Sequence, residues 1–181
     1  WLQPNQVQIL VNGHVIERLV YPVSIQMNRH EEKNVFCVYA AHSGEFEAIS
    51  SENLSEFRKQ LEIPAECLNL GGYAVFIKQP KEFISRMEKA VIKNGFGLKA
   101  SLVEYYDPES FHGYFAEDAA IFRKRKEYDY QKEYRFAIET GLAGESPLIM
   151  GIGSIKDIAF LCESSEVNNV FAVDFLDDDR A

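Results

Sequence analysis

Four apolar, strand-like runs crowd the last third of this 181-residue chain, at 133–139, 148–151, 157–161 and 170–175. The connections between them are too short for the helical crossover that parallel neighbours need, so they must pair largely antiparallel. Gly141-Leu142-Ala143-Gly144 supplies a hairpin loop, and Gly151 and Gly153 allow a bend. That spacing argues against a Rossmann arrangement. It predicts an α+β domain with a curved, largely antiparallel sheet flanked by two or three helices.

The earlier sequence fits this reading. Asn12-Gly13 separates two apolar runs and suits a two-residue turn in which both central residues take positive φ. Val35 to Ala40 is nearly continuous apolar sequence and predicts a central strand covered on both faces. Ser51 is positioned to cap a helix over 52–62, where Leu54, Phe57 and Leu61 recur at helical spacing before Pro64. Residues 73–77 read as a buried strand. A second helix begins at Pro80 or Lys81, carries the stripe Phe83, Ile84, Met87, Ala90 and Val91, and stops at Asn94-Gly95. Residues 101–106 read as a strand, and 117–125 as either a short helix or a loop crossing the sheet. No composition break marks a second domain, so residues 1–181 are expected to form one mixed domain with a frayed acidic end.

Charge is distributed unevenly. The net charge is −9, yet Arg123 to Arg135 holds six basic and three acidic residues, while Lys156 to Ala181 holds two basic and seven acidic ones. An acidic total argues against a surface devoted to duplex nucleic acid. The basic segment offers a local contact surface for nucleic acid or an acidic protein, or else forms a solvated face. Cys37, Cys67 and Cys162 lie far apart among apolar neighbours and read as buried free thiols in a cytoplasmic protein. No apolar run approaches membrane-spanning length.

Most familiar catalytic patterns are absent. The four histidines show no paired metal-ligand spacing, so no metal site is expected. Gly151-Ile152-Gly153-Ser154-Ile155-Lys156 lacks the ending of a phosphate loop. Ala41-His42-Ser43-Gly44 lacks the nucleophile elbow, although His42 follows a strand, where active-site loops often begin. What remains is Tyr128-Asp129-Tyr130-Gln131-Lys132-Glu133-Tyr134-Arg135-Phe136. As a strand, it sets Glu133, Arg135 and Ala137 on one face and Lys132, Tyr134, Phe136 and Ile138 on the other. Glu133 is then the candidate catalytic carboxylate, able to accept a ribose hydroxyl proton or steady positive charge on a sugar. Arg135, with Arg123 and Arg125, is placed to grip phosphate, and Tyr128 or Tyr130 to stack on a base. The competing reading is a structural ion pair with tyrosines covering a sheet edge.

Tyr-x-x-Gln-Lys-Glu-Tyr-Arg-Phe, with the later Gly153-Ser154-Ile155-Lys156-Asp157-Ile158, resembles the C-terminal part of small uncharacterised bacterial proteins that accompany mobile elements or phage-defence loci. The same strand is similar to the glutamate strand of ADP-ribosyltransferases. That resemblance covers 128–158 and implies a nucleotide- or nucleic-acid-directed transferase that uses NAD, with Glu133 as the matching glutamate. The second acidic position of the arginine-directed members is Arg135 here. Arg29, His30 and His42 are candidates for the early nicotinamide-pocket residue. The alternative implied by the first resemblance is a non-enzymatic interaction protein of a bacterial or phage conflict system.

Overall fold

The computed structural model describes residues 8–16, 28–144, 146–170 and 172–174. The described elements begin with a hairpin of β1 (Ile9–Val11) and β2 (His14–Ile16). They continue through β3 (Lys33–Tyr39), α1 (Leu54–Leu61), α2 (Ala65–Leu68), β4 (Tyr73–Ile77) and α3 (Pro80–Lys93). Then follow β5 (Gly97–Leu102), β6 (Glu104–Tyr106), β7 (Arg123–Arg125), β8 (Glu133–Glu139) and β9 (Ala159–Glu163). Short 3₁₀ segments occupy Glu117–Phe122 and Lys126–Gln131.

The class is α+β with mostly antiparallel ladders. The strands are divided among four small ladders, β1-β2, β3-β8-β5, β4-β9 and β6-β7, where the sequence suggested one curved sheet. The chain falls into two compact units: the described residues of Trp1–Val38 with Val91–Met150, and those of Tyr39–Ala90 with Gly151–Ala181. Within the second ladder order β8 is central, and its antiparallel register with β5 pairs Leu98 with Ile138 and Ala100 with Phe136.

Local chemistry explains several boundaries. Asn12 and Gly13 both take positive φ, 52° and 80°, as the tight β1–β2 turn demands. Asn53, not Ser51, precedes α1. Its side chain instead accepts from the Ser50 N–H at 2.8 Å and donates to the Ala48 carbonyl at 3.0 Å, organising the approach to the helix. α3 buries Phe83, Met87, Ala90 and Val91 along one stripe. It ends at Gly95, φ 74°, where the Phe96 N–H returns to the Val91 carbonyl at 3.1 Å.

Some expected strands differ. Residues 148–151 have no strand pairing, and neither do the described members of 170–175. The expected 157–161 strand lies at Ala159–Glu163, and the single strand over 101–106 divides at buried Val103. Among the described residues β3 is an outer member of its ladder, and Val35, Phe36 and Cys37 are exposed, so it is not a central strand covered on both faces. Cys37, expected to be buried, is exposed as a residue although its thiol end is partly covered beside Arg135 and Glu133; Cys67 and Cys162 are half-buried. β4 has the predicted limits, yet Tyr73 and Val75 are exposed.

Candidate functional site: an ion-pair cluster around Glu133

β8 begins after an unusual backbone step. Lys132 takes a left-handed conformation, φ 38° and ψ 53°, which costs a side-chain-bearing residue roughly 1–2 kcal/mol. This step ends the 3₁₀ segment Lys126–Gln131 and turns the chain into the strand. The strand starts at Glu133, where the sequence placed it, and Tyr128 to Gln131 before it are 3₁₀ and not extended.

From Glu133 onward the two-residue alternation holds. Tyr134 and Phe136 share one face, with ring centroids 5.2 Å apart, and Phe36 of β3 packs on Phe136 at 6.1 Å. Glu133 and Arg135 share the other and form an ion pair of 2.6 Å through Glu133 Oε2. Lys124 of β7 takes the other carboxylate oxygen, Oε1, also at 2.6 Å. Lys124 also hydrogen-bonds the Gln131 side-chain oxygen, and the Gln131 amide donates to the Tyr130 hydroxyl at 3.1 Å. The Glu133 backbone N–H donates to the Tyr105 hydroxyl at 2.9 Å, while Arg135 donates to the Ile121 carbonyl.

Glu133 is only 9% exposed. Burial pushes its carboxyl pKa upward, but hydrogen bonds from Lys124, Arg135 and the Cys37 thiol outweigh that effect and leave it below the ordinary carboxylate value. The carboxylate is therefore firmly anionic, with a cation on each oxygen. Burial, opposed by the hydrogen bond to Arg135 and reinforced by the charge of Glu133, raises the Cys37 thiol. A raised thiol is the reverse of an activated nucleophile. The Tyr105 hydroxyl is also raised, first by burial, with the neighbouring Glu133 charge acting in the same direction.

The basic run is drawn into this network. Arg123 pairs with Glu104, with its guanidinium 5.4 Å from the Phe115 ring centroid. Arg125 lies 3.4 Å from Glu127. Lys124 sits 5.0 Å from the centroid of the exposed Tyr128 ring. Arg123, Lys124 and Arg125 are all half-buried, so the segment is not a uniformly solvated cationic stripe. His42 belongs to the second unit, where its Nδ1 accepts from the Gly44 N–H at 3.0 Å. His30 Nε2 is buried without a hydrogen-bond partner among the described residues. The Arg29 side chain lies outside what the structure describes.

Lys124, Gln131, Tyr105 and Cys37 are members of the cluster that the sequence did not single out as site residues. The Lys124–Gln131–Glu133 trio could have been suspected from proximity in the chain. Cys37 and Tyr105 come from β3 and β6 and have no local signature. A second ionic group lies on the same unit: Lys33 contacts Asp118 at 3.2 Å and Glu139 at 3.3 Å, and Lys99 contacts Asp118 at 2.5 Å. Lys33 and Lys99 also line a small cleft with Ile121 and Glu139.

Among the described residues, no group of three or more His, Cys, Asp or Glu is arranged to hold a metal ion. No helix there is long and apolar enough to cross a membrane. Comparison with protein-family models, curated proteins and solved structures finds no significant match to this chain.

Proposed function

We propose that this chain is a protein-interaction module in which the Glu133 cluster holds β7 and β8 in place. One observation carries the reading: Tyr73, Val75 and Leu161 lie together on one face of the β4-β9 ladder and are 69%, 56% and 64% exposed. Cross-strand partners project to the same face, so Val75 and Leu161 are direct neighbours and Tyr73 lies two residues along. An exposed apolar cluster of this kind, bordered by Glu163 opposite Tyr73, marks a protein contact more often than a phosphate-bearing ligand. Free thiols fit a cytoplasmic setting.

The transferase reading has a specific observation in its favour, the anionic Glu133 between Lys124 and Arg135, with the Tyr128 ring beside Lys124. Against it, the carboxylate is buried and already accepts from Lys124, Arg135 and the Cys37 thiol, which hold its pKa low and make it a weaker base. Incubation with labelled NAD and mixed protein, DNA and RNA acceptors separates the two readings. The interaction reading expects no transfer and no NAD hydrolysis, and no calorimetric heat from NAD, ADP-ribose or ATP at millimolar concentration. Transfer by the unaltered protein would establish the enzyme instead, and its loss in Glu133→Gln protein shown to be folded would assign the role to Glu133.

A further inference from the structure

The β4-β9 ladder leaves a defined set of backbone groups at its edge. The Ser164 N–H bonds the Gly72 carbonyl at 3.1 Å, and the Lys78 N–H bonds the Ile158 carbonyl at 2.8 Å. In an antiparallel pair such bonds recur at every second residue, so Gly72, Ala74, Phe76 and Lys78 direct their backbone groups toward β9. Tyr73, Val75 and Ile77 consequently direct theirs the other way. Among the described residues β9 is the only strand beside β4.

Between the flanking Gly72 and Lys78 this edge carries no charge or proline that would block pairing. Tyr-Ala-Val-Phe-Ile contains no Lys, Arg, Asp, Glu, Pro or Gly, and it is rich in residues that favour extended structure. β9 differs: its outer face includes the charged Glu163, and its Ala159 N–H is already bonded to the Ile155 carbonyl at 2.8 Å. Among the described residues the open edge therefore belongs to β4.

We propose that β4 pairs antiparallel with β4 of a second copy of this chain about a two-fold axis at Val75, joining two ladders into a four-stranded sheet. This names one partner for the interaction reading and rests on it; the Tyr73, Val75 and Leu161 face then runs continuously across both copies. The pairing is self-complementary in both backbone and side chains. With Val75 opposite Val75, Tyr73 falls opposite Ile77 and Ile77 opposite Tyr73. All three pairs use the outward-directed residues, so each pair exchanges two hydrogen bonds. The side-chain pairs are aromatic with β-branched and β-branched with β-branched, combinations that stabilise adjacent strands. Lys78 falls opposite Gly72, so no like charges face one another despite the net charge of −9 on each copy.

Sedimentation equilibrium over a wide range of protein concentration tests the proposal. The expected result is a reversible doubling of mass. Val75→Lys places two ammonium groups together at the axis and should give a monomer with unchanged circular dichroism. Val75→Glu alone should do the same. An equal mixture of the two variants should recover the dimer, because residue 75 meets only its own counterpart. Amide exchange on the unaltered protein provides a check that needs no variant: the Tyr73, Val75 and Ile77 amides should slow as concentration rises. Wild-type protein that stays monomeric throughout overturns the second-copy proposal, and so does a mixture that stays monomeric. Neither result generates NAD turnover, so failure of the dimer remains distinct from failure of the interaction reading.

Discussion

Arg135 and Glu133, two residues apart on one face of β8, close a 2.6 Å ion pair whose carboxylate carries Lys124 on its other oxygen at the same distance. The arrangement connects two strands and a 3₁₀ segment through one buried anion. Removing the anion would leave two poorly hydrated cations, whereas replacing the whole group with apolar side chains would remove the desolvation cost together with the attraction.

Glu133→Gln should therefore destabilise the fold by about 3 kcal/mol, the scale for breaking one side of a buried ionic group. Replacing Lys124, Glu133 and Arg135 together by Met, Leu and Met should cost less than the single change. Urea unfolding of the two variants measures both effects. A larger loss in the triple variant than in Glu133→Gln would show that the ionic contacts contribute net stability.

Acid should weaken the protein through Glu133 and Asp118. Burial raises the Glu133 carboxyl, but its three side-chain hydrogen bonds prevail and lower it below 4.5. Lys99 lowers Asp118 below 3.8, burial opposes the effect, and Lys33 adds to it. For a carboxylate depressed in the folded state, the stabilisation is fully present above the unfolded pKa. It is lost as pH falls through the folded value. Stability should be flat near neutrality and decline from below about pH 4.5. Glu133→Gln should make that decline shallower, as denaturant midpoints at successive pH values will show.

Cys37 should alkylate slowly at neutral pH although its residue is exposed. Burial and the nearby Glu133 charge both favour the neutral thiol, against the Arg135 hydrogen bond. Glu133→Gln should accelerate reaction with iodoacetamide several-fold, since Arg135 then acts on the thiol unopposed by the carboxylate. Mass spectrometry of the Cys37 peptide over time reads the rate. An unchanged rate in the variant would separate the thiol from the cluster.

Lys33→Met should be milder than Glu133→Gln. The Lys33 side chain is 5% exposed, but Asp118 retains Lys99 and Glu139 is half exposed to water. Met preserves much of the apolar stem, so the loss should be about 1–2 kcal/mol, near the value of charge-assisted hydrogen bonds. Thermal unfolding beside Glu133→Gln compares the two clusters directly.

The sequence alone determined features governed by neighbours along the chain. Asn12-Gly13 specified the first hairpin, Pro80 and Asn94-Gly95 framed α3, and the alternation from 133 onward put Glu133 and Arg135 on one face. The four-residue register of Phe83, Met87 and Val91 likewise marked a buried stripe. Tertiary structure decided everything that depends on distant partners. It placed β3 at an edge among the described residues, left Val35 to Cys37 exposed, and brought Cys37 and Tyr105 to Glu133. It also paired Arg123, Lys124 and Arg125 of the basic run with carboxylates, of which only Glu133 is buried, and left the β4 edge open among the described residues. Periodicity records which way a side chain points relative to its neighbours in sequence. Whether that face meets carboxylate, protein or water depends on chain segments far away, so local pattern cannot fix it.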